Sequence, residues 1–306
     1  MNICLIICTK DRPKDLTTLL NSVKNQTRLP NRVLIIDGSD DPIKHVLENF
    51  KDLPLEYSAV RPPSLPKQRN VGIGLAGDTG AWLGFLDDDL VLVDNALEKL
   101  EHFVDTNLES KESMLGGVGL VINNEGLMKY SRWREFCLLD KLPGGIFTSS
   151  GCPAAIRPVN KDQDVEWLYG GATFWKSDIF KEFSYDEWFS GTGYYEDIDF
   201  SYRVGQKYRL ALSAESRCFH YSHPVRKERL IALGTWQLTG WWYFISKVKT
   251  FKKRYVFWSM FGLTLNNLGV GLISFNTGRI RKAIGNIKGW FLILSGKALL
   301  KKGFSK

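Results

Sequence analysis

Three consecutive carboxylates, Asp87, Asp88 and Asp89, follow the apolar run WLGFL and precede a helix that we expect to begin near Asp94. Like charges side by side repel one another, and a carboxylate that loses its water is costly to ionise unless a cation neutralises it. An isolated acidic triplet can also be a solvated turn in which one aspartate caps the next helix. The surrounding elements decide between a turn and a cation-binding site.

The chain around the triplet alternates between predicted strands and helices. Continuous apolar runs predict four strands: ICLIIC (3–8), RVLIID (32–37), the weaker LEYSAV (55–60) and WLGFLD (82–87). Apolar residues recur at helical spacing after the first two strands, in the sets Leu16, Leu19, Leu20, Val23 and Ile43, Val46, Leu47, Phe50. Helices are also predicted around KQRNVGIGLA and at Leu97, Leu100 and Val104. This alternation indicates an α/β fold with a mostly parallel, doubly wound sheet.

Polar residues stand where these strands end. Thr9 and Asp11 follow the first strand, Asp37 ends the second, and Asp87 ends the strand before the acidic triplet. Ligands of such sheets bind beyond the carboxyl ends of the strands. A solvated turn has no reason to coincide with that edge, so the position favours a functional site.

The charge is divided unevenly along the chain. From Pro224 to the end there are 16 lysines and arginines and one acid, Glu228, which makes the tail +15 in a chain of net charge +8 and leaves −7 for the other 223 residues. Five cysteines suggest neither a disulfide framework nor a zinc site, so a reducing compartment is expected. The start MNICLIICTKDRP has too short an apolar run for a secretory signal, which favours the cytoplasmic side.

The sequence resembles the family-2 glycosyltransferases, which are inverting enzymes of the GT-A fold that use nucleotide-activated sugars. The resemblance covers roughly residues 1–225, and its strength lies in the order and spacing of several short motifs. The motifs are CTKDRP (8–13), IIDGSDD (35–41), KQRNVG (67–72), FLDDD (85–89), WLYGGATFWKSDIF (167–180), YYEDIDFSYRV (194–204) and FHYSHP (219–224).

The resemblance implies a metal and a donor site around the acidic triplet. Asp89 would be the direct ligand of a divalent metal, Mn²⁺ or Mg²⁺, and Asp87 would contact the ribose hydroxyls or the metal through water. Carboxylates suit these hard cations, which neutralise a departing diphosphate. Asp88 is included with the donor-binding residues, but no separate role can be assigned to it.

Further residues match family positions that bind the nucleotide sugar. The residues expected to grip the nucleotide are Thr9, Asp11, Arg12, Asp37 and Arg69, and those expected to line the donor and acceptor pocket are Trp167, Gly170 and Gly171. Carboxylates can accept from base or ribose groups, and guanidinium can bind phosphate. Helix capping remains an alternative for Asp37, and a surface salt bridge remains one for Arg69.

The pair Glu196 and Asp197 resembles the catalytic "ED" motif of the family. Asp197 is the predicted general base that deprotonates the acceptor hydroxyl, and Glu196 is the second choice. One base opposite the leaving diphosphate gives in-line displacement with inversion. A helix start whose acids favour the helix dipole, with Asp199 and Arg203 paired at i, i+4, is a structural alternative that is compatible with catalysis.

The histidine that follows the predicted strand after the ED helix completes the expected metal site. By resemblance, His220 meets the metal or the diphosphate, and His223 fits that position less well. A lone histidine is more often structural, so the metal role of His220 rests on its position.

Two stretches are less regular. Residues 105–165 lose the alternation, and PGGIFTSSGCP has the composition of a mobile flap or an acceptor-facing loop. The tail interleaves aromatic and cationic residues, which favours a membrane surface over nucleic acid.

Within the tail, one segment is amphipathic and another is long enough to span a bilayer. Ile280, Ile284, Ile287, Phe291 and Leu294 share a helical face, with Arg281, Lys282 and Lys288 on the remaining surface, which is typical of an interfacial helix. The uncharged stretch 255–278 contains Asn266 and Asn267 at its middle, so an interfacial or re-entrant arrangement is favoured over a span. A helical subdomain packed on the core, or a homodimer through these helices, remains an alternative.

These observations predict a GT-A domain at 1–225, Rossmann-like with flanking helices, and a helical, membrane-associating region at 226–306. The predicted function is metal-dependent, inverting transfer from a nucleotide sugar to a lipid-linked or growing cell-surface glycan, on the cytoplasmic side of the membrane. A non-catalytic, membrane-bound sugar-nucleotide binder and a phosphoryl or nucleotidyl transferase are the alternatives. Nucleic acid is not an expected partner.

Overall fold

The computed structural model describes residues 1–108, 114–123, 130–190 and 194–300. The chain divides into two compact units, which we call the sheet unit (residues 1–128 and 156–222) and the helical unit (residues 129–155 and 223–306). Residues 129–155, placed within 1–225 by the sequence analysis, therefore belong to the same unit as the C-terminal helices. The last six residues of the basic tail lie outside the described part of the chain.

Four parallel strands form one half of the sheet. They are β1 (Ile3–Thr9), β2 (Arg32–Asp37), β3 (Leu55–Ala59) and β4 (Trp82–Asp87), in the spatial order β3-β2-β1-β4. Successive residues of β1 contribute to two hydrophobic clusters: Ile3, Leu5 and Ile7 to one, and Cys4 and Ile6 to the other. A strand buried on both faces needs a continuous apolar sequence, which ICLIIC provides.

The helices of the sheet unit agree with the predicted periodicity except in one place. They are α1 (Pro13–Lys24), α2 (Leu65–Ala76), α3 (Ala96–Asn107) and α5 (Glu196–Gly205). Proline at the start of α1 and α2 suits the first turn, where an amide hydrogen would have no helical partner. The predicted helix after β2 is only a 3₁₀ helix, Lys44–Asn49, and the Ile43 amide before it donates to the Asp37 carboxylate at 3.1 Å.

The other half of the sheet contains β5 (Leu90–Leu92), β6 (Leu115–Ile122), β7 (Gln163–Val165), β8 (Ala172–Lys176) and β9 (Arg209–His220). Strand β8 runs antiparallel to both β4 and β6, so the sheet is mixed rather than mostly parallel. Gly84 and Gly117 lie opposite Phe174 and Trp175, and a Cβ on either glycine would lie within 2.5 Å of those rings. The glycines of β6, whose sequence LGGVGLVI falls in the stretch where the alternation was expected to be lost, thus serve strand packing.

The helical unit is built from α4 (Arg132–Phe136), α6 (Leu230–Val248), α7 (Lys253–Ile273) and α8 (Thr277–Leu294). Helices α6 and α8 approach closely at Gly234 and Gly285, where an added Cβ would lie 2.1 Å from a carbonyl oxygen of the facing helix. The segment PGGIFTSSGCP, expected to be a mobile flap or an acceptor-facing loop, is packed within this unit, and the ring centre of Phe147 lies 5.9 Å from those of Phe244 and Phe251.

Among the residues that the structure describes, α7 is the single helix whose length and hydropathy would allow it to cross a membrane. One third of its most apolar window is buried within the protein. Length and composition of this kind are also found in core helices of soluble proteins, so they do not establish a span.

Candidate active site

The strand register brings His220 beside the acidic triplet. Strand β4 ends at Asp87, and three residues later Leu90 of β5 pairs with His220 at the end of β9. The Asp89 carbonyl accepts from the Tyr221 amide at 2.9 Å, which fixes this pairing. Asp89 Oδ1 consequently lies 3.1 Å from His220 Nε2.

Asp87, Asp89 and His220 form a cluster that suits a divalent cation. One ligand atom from each lies within 4.8 Å of the others. Two carboxylates and one imidazole match the donors that Mn²⁺ uses, and the carboxylates also suit Mg²⁺. Gly171 abuts the cluster, since a Cβ there would lie 2.0 Å from Asp87 Cγ. These three residues, the predicted metal ligands, are thus brought together, and His223 is not part of the cluster.

Asp88 has contacts that distinguish it from its neighbours. It is buried, its Oδ2 accepts from the Thr9 hydroxyl at 2.7 Å, and its Oδ1 accepts from Arg12 at 3.0 Å. Burial raises the pKa of Asp88 to about 6, against the hydrogen bond from Thr9 and the charge of Arg12. Asp88 therefore connects the acidic turn to the end of β1, a role that the sequence did not reveal.

Arg12 also reaches the metal cluster. Its Nη1 lies 3.1 Å from Asp89 Oδ2, so one guanidinium holds both Asp88 and Asp89. With 41% of its side chain exposed, Arg12 remains accessible to an anionic ligand.

We expect Asp88→Asn and Asp89→Asn to differ sharply in metal affinity. Asp89→Asn removes a charge from the cluster and should weaken Mn²⁺ binding by about tenfold or more, an order-of-magnitude estimate from the energy of charge-assisted contacts. Asp88→Asn keeps an oxygen that can accept from Thr9, so it should change the Mn²⁺ affinity by less than about threefold on the same estimate. Calorimetric titration of each variant with Mn²⁺ measures the difference. Equal losses in the two variants would contradict the separate roles.

Glu196 and Asp197 occupy the first turn of α5. The residue before them, Tyr195, has φ +83°, a left-handed conformation that costs a non-glycine residue about 1–3 kcal/mol. Asp197 is half-buried, with Oδ1 accepting from the Ile198 amide at 2.8 Å and Oδ2 from the Gly170 amide at 3.2 Å. The helix start thus orients Asp197, and Asp199 and Arg203 pair at 2.9 Å as the structural alternative predicts. The catalytic role of Asp197 is compatible with this geometry and remains a prediction.

Arg69 links the two acidic groups. Its Nη1 donates to Glu196 Oε1 at 2.8 Å, and its Nη2 lies 3.7 Å from Asp87 Oδ1. The guanidinium carbon lies 5.1 Å from the centre of the Tyr185 ring. Arg69 is 2% exposed, so the alternative of a surface salt bridge is wrong.

The two carboxylates of the ED motif differ in environment. Glu196 is buried, its Oε2 makes no hydrogen bond, and burial together with the charge of Asp197 raises its pKa well above the usual range despite Arg69. Burial also raises the pKa of Asp197, and Arg69 opposes that rise. Asp197 is the more accessible of the two and is held by backbone amides, which suits a proton acceptor.

One cleft of about 200 Å³ in the sheet unit unites these groups. The metal cluster contributes Asp87 and His220, and the ED motif contributes both of its acids. The full lining consists of Leu65, Arg69, Asp87, Leu90, Ile122, Tyr169, Gly170, Gly171, Ala172, Glu196, Asp197 and His220. Asp87 of the acidic triplet and both acids of the ED pair therefore face the same space.

Other predicted site residues are placed differently. Asp37 is fully buried, and its carboxylate accepts from the Ser39 and Ile43 amides and the Tyr57 hydroxyl. Burial opposes its ionisation, but these hydrogen bonds outweigh burial and lower its pKa. Asp37 thus exposes no atom to a nucleotide, and it does not cap the next helix either, because its carboxylate holds the loop that ends at Ile43.

Thr9, Asp11 and Trp167 do not line the cleft. Thr9 is buried beneath Asp88, while the half-exposed Asp11 carboxylate lies 3.1 Å from Lys10 Nζ. Trp167 is 3% exposed and packs edge-on against Tyr169, so the prediction that it lines the pocket is wrong. Gly170 and Gly171 do line the cleft.

Sequence reasoning did not identify Tyr185 or Tyr169. Tyr185 is buried against Arg69, and Asn70 accepts from its amide at 3.0 Å and donates to its carbonyl at 2.9 Å. The sequence signal that could have pointed to these contacts is the QRN triplet in KQRNVG. Gln68, Arg69 and Asn70 each hold a different part of the site. Gln68, for example, donates to the carbonyls of Thr9 and Ile36 at the ends of β1 and β2.

Comparison with known proteins agrees with the predicted family. Residues 4–151 match the family model described as Glycosyl transferase family 2. No curated protein sequence matches the chain.

Solved structures share the fold. TarS of S. aureus is 16% identical with a TM-score of 0.51 over 93% of this chain, which spans only 55% of the TarS chain. TarS 1–349 in complex with UDP-GlcNAc is 13% identical with a TM-score of 0.51, covering 97% of this chain and 93% of the other. GalNAc-T7 with UDP, GalNAc and Mn²⁺ is 16% identical with a TM-score of 0.54, covering 90% of this chain and 57% of the other. At these identities the likeness establishes the α/β fold of GT-A glycosyltransferases.

Proposed function

We propose, from the premise that the chain is a family-2 glycosyltransferase, that it transfers a sugar from a nucleotide donor to an acceptor hydroxyl with inversion and with the help of a divalent cation. The observation that carries the proposal is the single cleft lined by Asp87, His220, Glu196 and Asp197. A cation site and a proton acceptor facing one small volume are the two requirements of this reaction.

Asp87, Asp89 and His220 would hold the cation. A divalent ion bound there would supply Lewis-acid stabilisation of the charge that develops on the leaving diphosphate. The Arg12 guanidinium, which lies 3.1 Å from Asp89, would contact a phosphate of the donor. Gly171 leaves the room that the Asp87 carboxylate needs.

Asp197 would act as the general base. Its carboxylate takes the proton of the acceptor hydroxyl while the acceptor oxygen forms a bond to the anomeric carbon. The bond from that carbon to the phosphate oxygen breaks, and the electron pair leaves with the nucleoside diphosphate. Amides of Gly170 and Ile198 fix the orientation of the carboxylate, so little reorganisation is needed.

Uridine-diphosphate sugars are the first donors to test. The TarS structures contain UDP and UDP-GlcNAc, and the GalNAc-T7 structure contains UDP and Mn²⁺. These ligands belong to those proteins, and their shared fold supports a nucleotide sugar as the donor class here. Mn²⁺ is for the same reason the first cation to test, with Mg²⁺ second.

The acceptor that we propose is a lipid-linked or growing cell-surface glycan at the cytoplasmic face of the membrane. The net charge of +15 after Pro224 and the five tryptophans of that tail support this location. A peripheral enzyme at that surface would meet lipid-linked acceptors without releasing them into water.

The experiment is to incubate the purified full chain with UDP-, GDP- and dTDP-sugars, with Mn²⁺ or with a chelator, and to measure nucleoside diphosphate release. We expect release with at least one donor, dependent on the cation and lost in Asp89→Asn. The anomeric configuration of any transferred sugar, read by NMR, tests inversion. Absence of release, transfer and donor binding across the panel would overturn the proposal.

A further inference from the structure

The turn between α7 and α8 presents large apolar side chains to solvent. Ile273 is 84% exposed and Phe275 is 90% exposed, and Leu272 beside them is 57% exposed. Phe275 has φ +50°, and Asn276 caps α8 by accepting from the Arg279 amide at 3.0 Å. Two almost fully exposed apolar residues at a well-formed helix turn are unusual on a surface in contact only with water.

Helix α8 continues this apolar surface along its length. Ile284, Ile287, Phe291 and Leu294 are each between 44% and 73% exposed and recur every three or four residues, so they lie on one face. Arg281 and Lys288 are exposed and lie one position beyond Ile280 and Ile287, about 100° around the helix. Cationic side chains at the edge of an apolar stripe can extend to a charged surface while their stems stay on apolar material.

On its opposite side, the α7–α8 hairpin makes hydrogen bonds within the helical unit. Asn267 donates to Asn286 at 2.8 Å and accepts from Arg279 at 3.2 Å, while Asn286 donates to the Gly234 carbonyl at 2.8 Å. Asn267, one of the two asparagines that would burden an isolated span, is therefore hydrogen-bonded by α8, and Asn286 in turn connects α8 to α6. A membrane-crossing α7 would have to give up these contacts or carry the charged residues of α8 into the lipid.

Charge distinguishes between two candidate partners for the exposed apolar face, a second copy of this chain and a lipid surface. No acidic residue follows Glu228 in the sequence. A second copy of this chain would place one cationic helical unit against another, which like-charge repulsion opposes. An anionic lipid surface is complementary in both respects, because it accepts the apolar side chains and attracts the cations.

We propose that the α7–α8 hairpin lies on an anionic phospholipid bilayer, with Ile273 and Phe275 inserted at the boundary of headgroups and acyl chains. Arg281 and Lys288 contact the headgroup phosphates. This proposal rests on the proposed function and identifies the surface through which the protein would associate with the membrane. It requires neither a transmembrane span nor a homodimer through these helices.

The test is vesicle co-sedimentation of the full chain and of the double variant Ile273→Ser/Phe275→Ser. Vesicles of phosphatidylcholine alone are compared with vesicles that contain about one third phosphatidylglycerol. We expect the unaltered chain to bind the anionic vesicles at least tenfold more tightly, and the double variant to lose at least tenfold of that affinity. Leu75→Ser is the matched control, because Leu75 is a 47% exposed apolar residue of the sheet unit, and it should bind as the unaltered chain does.

Three further readouts make the outcomes distinct. Both altered residues are exposed, so the thermal unfolding midpoint and the nucleotide-sugar hydrolysis of the double variant should be unchanged. Retained vesicle binding by the double variant, or no preference for anionic vesicles, would overturn the proposal, as would a dimer in light scattering that the double variant abolishes. Vesicle binding without glycosyl transfer would instead count against the proposed function and leave the docking surface standing.

Discussion

Asp197→Asn is expected to lower kcat for sugar transfer by about 10²- to 10⁴-fold, the usual contribution of a general base, while the affinity for the donor changes little. The amide cannot take a proton from the acceptor, although its oxygen can still accept from the amide of Gly170 or Ile198. Steady-state kinetics with saturating donor and acceptor measure the loss. Donor binding by calorimetry shows whether the cleft is intact.

Glu196→Gln is the matched control for that substitution. Its oxygen can still accept from Arg69, and Glu196 is the less accessible of the two acids. We expect a smaller loss of kcat than in Asp197→Asn. A reversed order, with Glu196→Gln inactive and Asp197→Asn active, would assign the base to Glu196.

The pH dependence of transfer provides a second measurement of the same group. The base must be ionised, and burial raises the pKa of Asp197 above that of an ordinary aspartate. Activity should therefore be full above this raised pKa and should fall as the pH drops through it. Arg69 opposes the rise, so Arg69→Met should move the acidic limb of kcat/KM to higher pH. An acidic limb that does not move would separate Arg69 from the base.

The alternation of strands and helices could be predicted because it depends on local periodicity. Strands β1, β2 and β4 are buried on both faces, so their sequences are continuous apolar runs, and α1 buries the same four residues that its spacing indicated. The convergence of Asp87 and Asp89 with the strand ends follows from parallel topology. The sequence therefore allowed us to predict which strand ends carry the candidate site.

What could not be predicted depends on contacts distant in sequence. The eight-residue β6 contains three glycines that sequence reasoning placed in a loosened region, and their purpose is visible only when Trp175 and Leu168 lie against them. The burial of Asp37 likewise depends on Tyr57, 20 residues away. Local sequence does not specify such partners, which is why Trp167 and Asp37 were assigned to the ligand site and the structure places them in the interior.

Gly171→Ala is expected to lower kcat/KM by about 10²-fold, the typical effect of displacing a catalytic group by about 1 Å. A Cβ at this position would lie 2.0 Å from Asp87 Cγ and 2.1 Å from its Oδ2, closer than any non-bonded contact allows. The backbone has no room to yield, because the Asp87 amide donates to the Gly171 carbonyl at 2.9 Å and Ala172 continues into β8. Asp87 must therefore move out of the metal cluster.

Gly74→Ala is the control, since a Cβ there meets nothing within 4 Å and alanine favours a helix interior. It should leave activity unchanged and raise stability by up to about 1 kcal/mol. Titration with Mn²⁺ shows whether the lost activity comes from displacement of Asp87. We expect Gly171→Ala to lose cation affinity together with activity. If the variant binds Mn²⁺ normally but transfers slowly, Gly171 acts on the position of the sugar rather than on Asp87. Because Gly170 donates to Asp197 and Gly171 abuts Asp87, the two glycines connect the proposed base and the proposed cation site through one peptide, and alanine at position 171 tests that connection directly.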